Sequence, residues 1–279
     1  MLIDIHTHLV PDPAPDGCHL TLEDLLQRMD TSGIDKAVVL PLESPEAFTI
    51  PVPTWEVIHL CQREPERLIP FCVVDPRTLS FSGAKLEAHL LPYLEQGCKG
   101  FGEHKVGLAV DDPLSMDIYA ICGELGLPVL LHFQRNLNVD EPGLPRFEKV
   151  VERFPETVFI GHGPAWWQNI SAEVDLAGPS YPTGKVVAGG ALPRLLADHE
   201  NVYADLSANS GYNALARDLD NAREFLQRHS QKILFGTDLL RRNQELPILD
   251  FLGEFNLDAE TYRLISHANA QRLLGIASQ

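Results

Sequence analysis

Short apolar runs alternate with longer amphipathic segments along the whole chain. Eight runs, each of about four to six residues, are rich in Val, Ile, Leu or Phe and are bounded mostly by Gly, Pro or polar residues. They cover residues 2–5, 37–40, 69–74, 100–103, 128–132, 158–161, 202–206 and 233–235. Continuous apolar runs of this length predict strands that are buried on both faces.

The segments between these runs have apolar residues at helical spacing. Thr21 is a candidate N-cap with Asp24 three residues later, and Gly33 is placed to end that helix. Further helices are predicted around residues 86–94, 118–125, 147–154 and 192–196. Eight strand-then-helix units, spaced mostly by about 30 residues, predict a (β/α)8 TIM barrel that forms one domain over residues 1–279. The alternative is an open doubly wound sheet, but no glycine-rich GxGxxG motif follows the first run.

Two segments interrupt this repeat. Residues 11–17 contain three prolines, and residues 166–190 mix Trp, Tyr, Pro and Gly. Long loops without secondary structure are usually functional, and the loops that follow barrel strands surround the active site. Both segments are therefore predicted to be loops at the catalytic face.

Polar side chains that can bind metal follow several predicted strands. His6 and His8 lie two residues apart at the end of the first strand, so both should point to the same side. His132, His162 and Asp238 end the fifth, sixth and eighth strands. The C-terminal ends of barrel strands meet on one face, so these five side chains should converge there. Each alone is more often a hydrogen-bonded loop residue, but together they predict a site for Zn²⁺ or a similar divalent ion.

Glu103 ends the fourth predicted strand. Its carboxylate would either bridge two ions about 3.5–4 Å apart or orient a ligand histidine from behind. In a regular strand, His104 should point away from Glu103 and Lys105 should share its side. Lys105 is accordingly a candidate for binding an anionic group of the substrate, with a solvated loop lysine as the alternative.

Four further residues are candidates for substrate binding. Trp166 and Trp167 are adjacent on the long loop and are predicted to cover a substrate. The alternative is that one of them packs in the core and the other is partly exposed. Arg135 and Arg241 each lie three residues after a candidate metal ligand and could bind a carboxylate in bidentate fashion. The alternative for these arginines is an ordinary surface salt bridge.

Five segments together resemble a known family. They are Asp-Ile-His-Thr-His at 4–8, Pro-Val-Leu-Leu-His at 128–132, Ile-Gly-His-Gly-Pro at 160–164, Leu-Phe-Gly-Thr-Asp at 234–238 and Asn-Ala-Gln-Arg-Leu-Leu-Gly at 269–275. In this order and placement the chain resembles the metal-dependent amidohydrolase superfamily, and most closely its amidohydrolase-2 branch. The resemblance implies a barrel fold and one or two divalent ions, usually zinc.

The resemblance also implies roles for individual residues. His6, His8, His132 and Asp238 would hold the ion or ions, and Asp238 would take a proton from the attacking water. His162 would bind a second ion or polarise the substrate. Many two-metal members have a carboxylated lysine at the end of the fourth strand, whereas this chain has Gly102-Glu103, a pair similar to that of TatD-type nucleases and deacylases. The number of ions is therefore open.

Composition narrows the classes of function. With 44% hydrophobic and 22% charged residues the chain is an ordinary globular protein rather than a disordered one. Its net charge of −17 disfavours nucleic acids and anionic membranes as partners, and so disfavours a nuclease. No apolar run reaches the roughly 18 residues of a membrane span, and no signal peptide is recognisable. The five scattered cysteines favour buried thiols in a reducing compartment, so a cytoplasmic protein is expected.

These observations predict a metal-dependent hydrolase of a small-molecule amide, ester or lactone. Asp238 would be the general base and acid, because a positioned carboxylate can move a proton from the attacking water to the leaving group. The alternative is a metal-dependent decarboxylase of an unsaturated or aromatic acid, since the same branch resembles such lyases. A barrel that has lost catalysis is a weaker alternative. The expected partner is a small-molecule substrate, and self-association into a homo-oligomer is left open.

Overall fold

The structure, a computed structural model, describes residues 1–276 except 16, 48 and 79–84. Every predicted apolar run overlaps a strand, and only β3 is markedly shorter than its run. The strands are β1 Ile3–Thr7, β2 Lys36–Val39, β3 Leu68–Pro70, β4 Phe101–His104, β5 Val129–His132, β6 Phe159–His162, β7 Val202–Asp205 and β8 Ile233–Leu234. Residue 16 of the predicted loop 11–17 and residues 277–279 of the predicted domain lie outside the described residues.

Helices follow the strands. Those described over their whole length are α1 Leu22–Ser32, α2 Thr54–Cys61, α3 Leu86–Glu95, α4 Pro113–Glu124, α5 Pro145–Arg153, α6 Pro164–Gln168, α7 Ala191–Asp198, α8 Ala208–Ala216, α9 Leu219–Arg228, α10 Pro247–Glu254, α11 Ala259–Arg263 and α12 Asn269–Leu274. A π-helical turn, Leu264–Ala268, joins α11 to α12. Helix α1 has the predicted ends: Thr21 and Asp24 form a reciprocal capping box, and Gly33 closes the helix at a φ of 67°.

The strands form two parallel sheets that are joined at both seams. Their orders are β1-β2-β3 and β4-β5-β6-β7-β8. Parallel bridges connect Thr7 to Leu239 at one seam and Cys72 to Phe101 at the other. Backbone hydrogen bonds reinforce the first seam, where Ile5 N donates to Phe235 O at 3.0 Å. The chain therefore forms the predicted (β/α)8 barrel, and the open-sheet alternative is excluded.

The inside of the barrel is apolar along most of its length. One buried cluster contains inward-facing residues of several strands together with two residues of α12. Its members are Ile3, Ile5, Val38, Leu40, Phe71, Leu130, Ile160, Leu234, Ala270 and Leu274. A second, larger cluster fills the layer between the strands and the surrounding helices. Apolar side chains fill the interior of the barrel. The polar side chains at the ends of the strands therefore lie at its C-terminal face.

Trp166 and Trp167 do not lie over the barrel mouth. Both belong to the short helix α6 directly after β6, and they are 0% and 2% exposed. A Cβ atom on Gly161 would lie 2.3 Å from the Trp166 indole, so the missing side chain of this glycine leaves room for the ring. The Trp167 Nε1 donates a hydrogen bond to the Asp205 carbonyl at 3.0 Å. The prediction that these tryptophans cover a substrate from a loop is wrong, as is the alternative of partial exposure for one of them.

Two expectations from composition can be compared with the structure. All five cysteines are buried and none is in a disulfide, as predicted. None of the helices in the described ranges is long and apolar enough to cross a membrane.

We expect Trp166→Ala to lower the free energy of unfolding by about 3–5 kcal/mol, because it empties a large buried site on the outer face of β6. Trp55, which is 63% exposed on α2, offers a matched control. Trp55→Ala should change the free energy of unfolding by no more than about 0.5 kcal/mol. Urea denaturation of both variants measures these values, and equal effects would contradict the placement of Trp166.

Candidate metal centre

Six side chains converge at the C-terminal end of the barrel. They come from β1, β4, β5, β6 and the turn after β8, and most of them are fully buried. Three groups have donor atoms within 4.8 Å of one another: His6, His8 and Glu103; His6, His162 and Asp238; and Glu103, His132 and His162. All six residues that the sequence suggested as metal ligands are thus brought into one cluster.

His6 and His8 direct the same ring nitrogen into this cluster. The His6 Nδ1 lies 2.7 Å from Asp205 Oδ2, and the His8 Nδ1 lies 3.0 Å from the Leu40 carbonyl. Both partners are acceptors, so both Nδ1 atoms carry the proton and both Nε2 atoms present lone pairs. These Nε2 atoms are 3.2 Å apart, and each lies 3.4 Å from Asp238 Oδ1. Three converging acceptors repel one another unless a cation lies among them, so this donor set fits a divalent ion.

Glu103 connects the two sides of the cluster. Its Oε1 lies 2.5 Å from His132 Nδ1 and 3.8 Å from His162 Nε2. Its Oε2 lies 3.8 Å from His8 Nε2 and is buried without a hydrogen-bond partner among the described residues. Burial works to raise the pKa of Glu103, but the positive charge of Lys105 and the hydrogen bond with His132 hold it well below its usual range. A buried, ionised oxygen without a donor is costly, and a metal ion would satisfy it.

The remaining imidazoles border Glu103. Burial and the nearby Lys105 lower the pKa of His132 to about 4, so this ring is neutral. Its Nε2 lies 3.1 Å from Gln134 Oε1, which leaves Nδ1 facing the carboxylate. Burial alone would lower the pKa of His162, but the hydrogen bond to Asp205 and nearby carboxylates raise it above the ordinary value. The carboxylates therefore favour a positive charge beside His162, whether a proton or a metal ion.

Asp238 is the most exposed of the six, with 22% of its side chain accessible. Its backbone has a φ of 55°, and its N–H donates to the His6 carbonyl at 2.8 Å. Burial works to raise the pKa of Asp238, but the surrounding His6, His8 and His162, when they are protonated in the absence of a metal ion, lower it to about 2. The carboxylate is therefore ionised at neutral pH and can exchange a proton with a molecule in the barrel mouth.

Two buried aspartates in the surrounding network were missed by sequence reasoning. Asp205 accepts hydrogen bonds from His6 and Ser207 at the end of β7. Asp4 accepts from the His6 and Thr237 backbone, and burial raises the pKa of Asp4 to about 7. The signal for Asp205 was present, because it is a polar residue at the end of an apolar run, as His132 is.

Lys105 lies beside the cluster, as its position in the strand predicted. Its Nζ is 3.7 Å from Glu103 Oε2, and its side chain is partly accessible. His104 points the other way, where its Nε2 lies 3.1 Å from the Ser115 hydroxyl. The side chains therefore alternate along the strand as predicted, with Lys105 on the side of Glu103 and His104 on the opposite side.

The surroundings of Arg135 differ from those expected. Arg135 donates from Nε to the Leu176 carbonyl at 3.0 Å and from Nη2 to the Ala177 carbonyl at 2.5 Å. It therefore holds the irregular segment after α6 in place rather than forming a salt bridge. Arg241 is exposed on the turn that follows Asp238.

Comparison with known proteins assigns the chain to a family. The amidohydrolase family model matches residues 3–276, so the chain belongs to this family, as the sequence motifs indicated. Among curated proteins, none matches the chain at a significant level.

Solved structures share the fold. One is an uncharacterized TIM-barrel protein from Bordetella bronchiseptica, 17% identical, with a TM-score of 0.67 and coverage of 100% of this chain and 99% of that one. The probable 2-pyrone-4,6-dicarboxylic acid hydrolase of Acinetobacter baumannii, with citric acid bound, is 15% identical, with a TM-score of 0.65 and coverage of 98% and 99%. The 5-carboxyvanillate decarboxylase of Novosphingobium aromaticivorans, complexed with manganese and 4-hydroxy-3-methoxy-5-nitrobenzoic acid, is 14% identical, with a TM-score of 0.63 and coverage of 99% and 96%. These likenesses confirm the TIM barrel and include both a hydrolase and a decarboxylase.

We expect the buried His104 to make stability depend on pH. Burial lowers the pKa of His104 to about 4, whereas an unfolded histidine titrates near 6.5. The unfolded chain therefore takes up a proton first, and stability falls as the pH drops from about 6.5 to about 4. The contribution is about 3 kcal/mol, because each unit of pKa difference corresponds to about 1.36 kcal/mol.

The measurement is urea denaturation across this pH range with a chelator present. Relative to the wild type, His104→Gln should lose this part of the pH dependence, and His59→Gln, at an exposed position on α2, should keep it. Equal slopes in wild type and His104→Gln would contradict the assignment.

Proposed function

We propose that the protein is a metal-dependent hydrolase that cleaves an amide, ester or lactone bond of a small molecule. The position of Asp238 is the observation on which this proposal depends. Its ionised carboxylate lies 3.4 Å from the Nε2 atoms of both His6 and His8, and it is the ligand candidate most accessible from the barrel mouth. A base in this position can take a proton from water that attacks a bound carbonyl.

The cluster would hold one or two divalent ions, with zinc expected first and manganese accepted by the same ligand types. The proposed ligands are His6, His8, Glu103, His132, His162 and Asp238. When bound, such an ion supplies Lewis acidity and lowers the pKa of its water from 15.7 to about 7. Glu103 is proposed to serve both halves of the centre, because its two oxygens face different imidazoles.

The protein groups around the ions have separate tasks. Asp238 takes the proton of the attacking water and passes it to the leaving group. His162 either holds the second ion or polarises the substrate carbonyl. Lys105 supplies a positive charge at the wall for an anionic substrate group, and Arg241 could contact a more distant carboxylate from the rim. Arg135 contributes indirectly, since it binds backbone carbonyls of the neighbouring loop.

Decarboxylation of an unsaturated or aromatic acid is the second candidate. It is favoured by the likeness to the manganese-containing 5-carboxyvanillate decarboxylase. In that reaction Asp238 would take a proton from a water molecule and deliver it to the carbon atom that loses carbon dioxide. The same acid–base residue can serve both reactions, so the products must distinguish them.

The cellular setting stays a prediction. The net charge of −17 supports a small-molecule substrate rather than a nucleic acid or an anionic membrane surface. A cytoplasmic location and self-association as a homo-oligomer are proposed on the sequence alone.

The products decide between the two reactions. Purified protein loaded with zinc or manganese is tested against lactones, esters, amides and aromatic carboxylic acids, with Asp238→Asn as the control. Hydrolysis releases a new carboxylic acid without gas, whereas decarboxylation releases carbon dioxide. Release of carbon dioxide that requires Asp238 would replace the hydrolase proposal with the second candidate.

We expect Asp238→Asn to lower kcat by about 10²–10⁴-fold, because the amide cannot accept a proton. The amide oxygen can still bind a metal ion, so the metal content should stay close to that of the wild type. Steady-state kinetics and elemental analysis of the same preparation test both statements. Near-normal kcat with full metal content would show that Asp238 is not the base.

We expect the wild type to contain two divalent ions per chain and Glu103→Gln to contain one, because the amide lacks the charge that a bridge between two ions requires. Elemental analysis in one buffer measures both, and Glu152→Gln, at an exposed position on α5, is the matched control. If Glu103 only orients His132, the ion count stays the same and metal affinity falls by about 10–100-fold. Full activity in metal-free protein would contradict metal dependence altogether.

A further inference from the structure

Asp205 lies between two imidazoles of the candidate metal centre. It is the last residue of β7 and is completely buried. Its Oδ2 accepts from the His6 Nδ1 at 2.7 Å and from the Ser207 hydroxyl at 2.6 Å. The His162 Nδ1 lies 3.0 Å from the same oxygen and 2.9 Å from the Ser207 hydroxyl. Its Oδ1 accepts from the Ser207 backbone N–H at 2.8 Å. One carboxylate oxygen therefore lies against the Nδ1 atoms of two imidazoles from different strands.

These two imidazoles share one ligand group with Asp238, and each also belongs to a further group that does not contain the other. The Nε2 of His6 faces His8, whereas the Nε2 of His162 faces Glu103. A ring nitrogen that donates to a carboxylate fixes the tautomer of the ring and leaves the other nitrogen free to bind a metal. Asp205 does this directly for His6, and for His162 together with the Ser207 hydroxyl, which donates to Asp205 and lies within hydrogen-bond distance of the His162 Nδ1.

We propose that Asp205 is a positioning residue shared by both halves of the metal centre. It holds His6 and His162 as Nδ1–H tautomers and aims both Nε2 lone pairs into the cluster. This inference rests on the proposed function only in that a metal ion is bound, and it is independent of which bond the enzyme breaks.

The packing around Asp205 supports this role. A Cβ atom on Gly236 would lie 2.5 Å from Asp205 Oδ1, so a larger residue there would displace the carboxylate. The backbone carbonyl of Asp205 accepts from the buried Trp167 indole, which fixes the end of β7. Through this hydrogen bond Trp167 supports the metal centre, although its indole does not face the barrel mouth.

The other two histidines of the cluster have separate partners. The His8 Nδ1 donates to the Leu40 carbonyl, and the His132 Nε2 faces Gln134. Gln134 is exposed and contacts a single imidazole of the cluster, whereas Asp205 contacts two. Gln134→Ala is therefore a matched control, which should affect metal binding through His132 alone.

The first test uses the wild type and does not require a variant. Long-range ¹H–¹⁵N spectra of metal-free protein report which ring nitrogen of each histidine carries the proton, with His6→Gln and His162→Gln used to assign the signals. At a pH high enough for both rings to be neutral, His6 and His162 should both be Nδ1–H tautomers. If either ring carries its proton on Nε2 alone, the proposal is overturned.

The second test measures metal affinity. Asp205→Ala removes the shared acceptor, and Gly236→Ala displaces it without removing its charge. Calorimetric titration of metal-free protein with Zn²⁺ should show dissociation constants raised by about 10–100-fold for every ion that the wild type binds. Gln134→Ala should affect at most one ion. Wild-type affinity in both Asp205→Ala and Gly236→Ala, or an effect confined to one of two ions, would overturn the shared role.

Circular dichroism of each variant with a chelator present identifies any variant that fails to fold. The proposal is then decided by whichever of Asp205→Ala and Gly236→Ala folds, together with the ¹H–¹⁵N spectra of the wild type. Failure of the inference and failure of the proposed function give different results. If the wild type binds no ion, the proposed function fails, while the tautomer test still decides the positioning role. If the wild type binds ions and both variants bind them equally well, the inference fails and the proposed function stands.

Discussion

Mutual repulsion among buried hydrogen-bond acceptors is the main physical constraint at the C-terminal end of this barrel. Imidazole lone pairs and ionised carboxylates from five strand ends meet within a few ångströms, and the described residues supply too few donors for them. Such an arrangement is costly in a buried site unless a cation compensates it. Metal binding would therefore contribute to the stability of this end of the barrel as well as to catalysis.

The orientation of the imidazole lone pairs depends on hydrogen-bond acceptors that contact the far side of each ring. Asp205 and the Leu40 carbonyl accept the outer N–H groups of His6 and His8, so the inner nitrogens are directed towards the cluster and can bind a metal ion. Below the cluster, apolar residues fill the barrel, and water is excluded from that side. The candidate ligands are consequently held on rigid strand ends, which favours a single arrangement of the ligand atoms.

The proposed function depends on one partly accessible carboxylate among buried candidate ligands. Asp238 is ionised and reaches the mouth, whereas Glu103 is enclosed beside Lys105. The same carboxylate can move a proton to a leaving group or to carbon. Under the proposed function, hydrolysis and decarboxylation would differ in what binds at the barrel mouth rather than in the ligand cluster.

Local sequence was sufficient for the strands and for the six candidate ligands. Apolar runs that are buried on both faces are readable along the chain, and a polar residue at the end of such a run has only one face of the barrel to occupy. The surroundings of Trp166, Trp167 and Arg135 were decided by tertiary structure. Their partners are Gly161, the Asp205 carbonyl and two carbonyls of a loop about 40 residues away, and none of these contacts has a periodic signal. The shared role of Asp205 is of the same kind, since 199 positions separate it from His6 and only barrel closure brings the two side chains together.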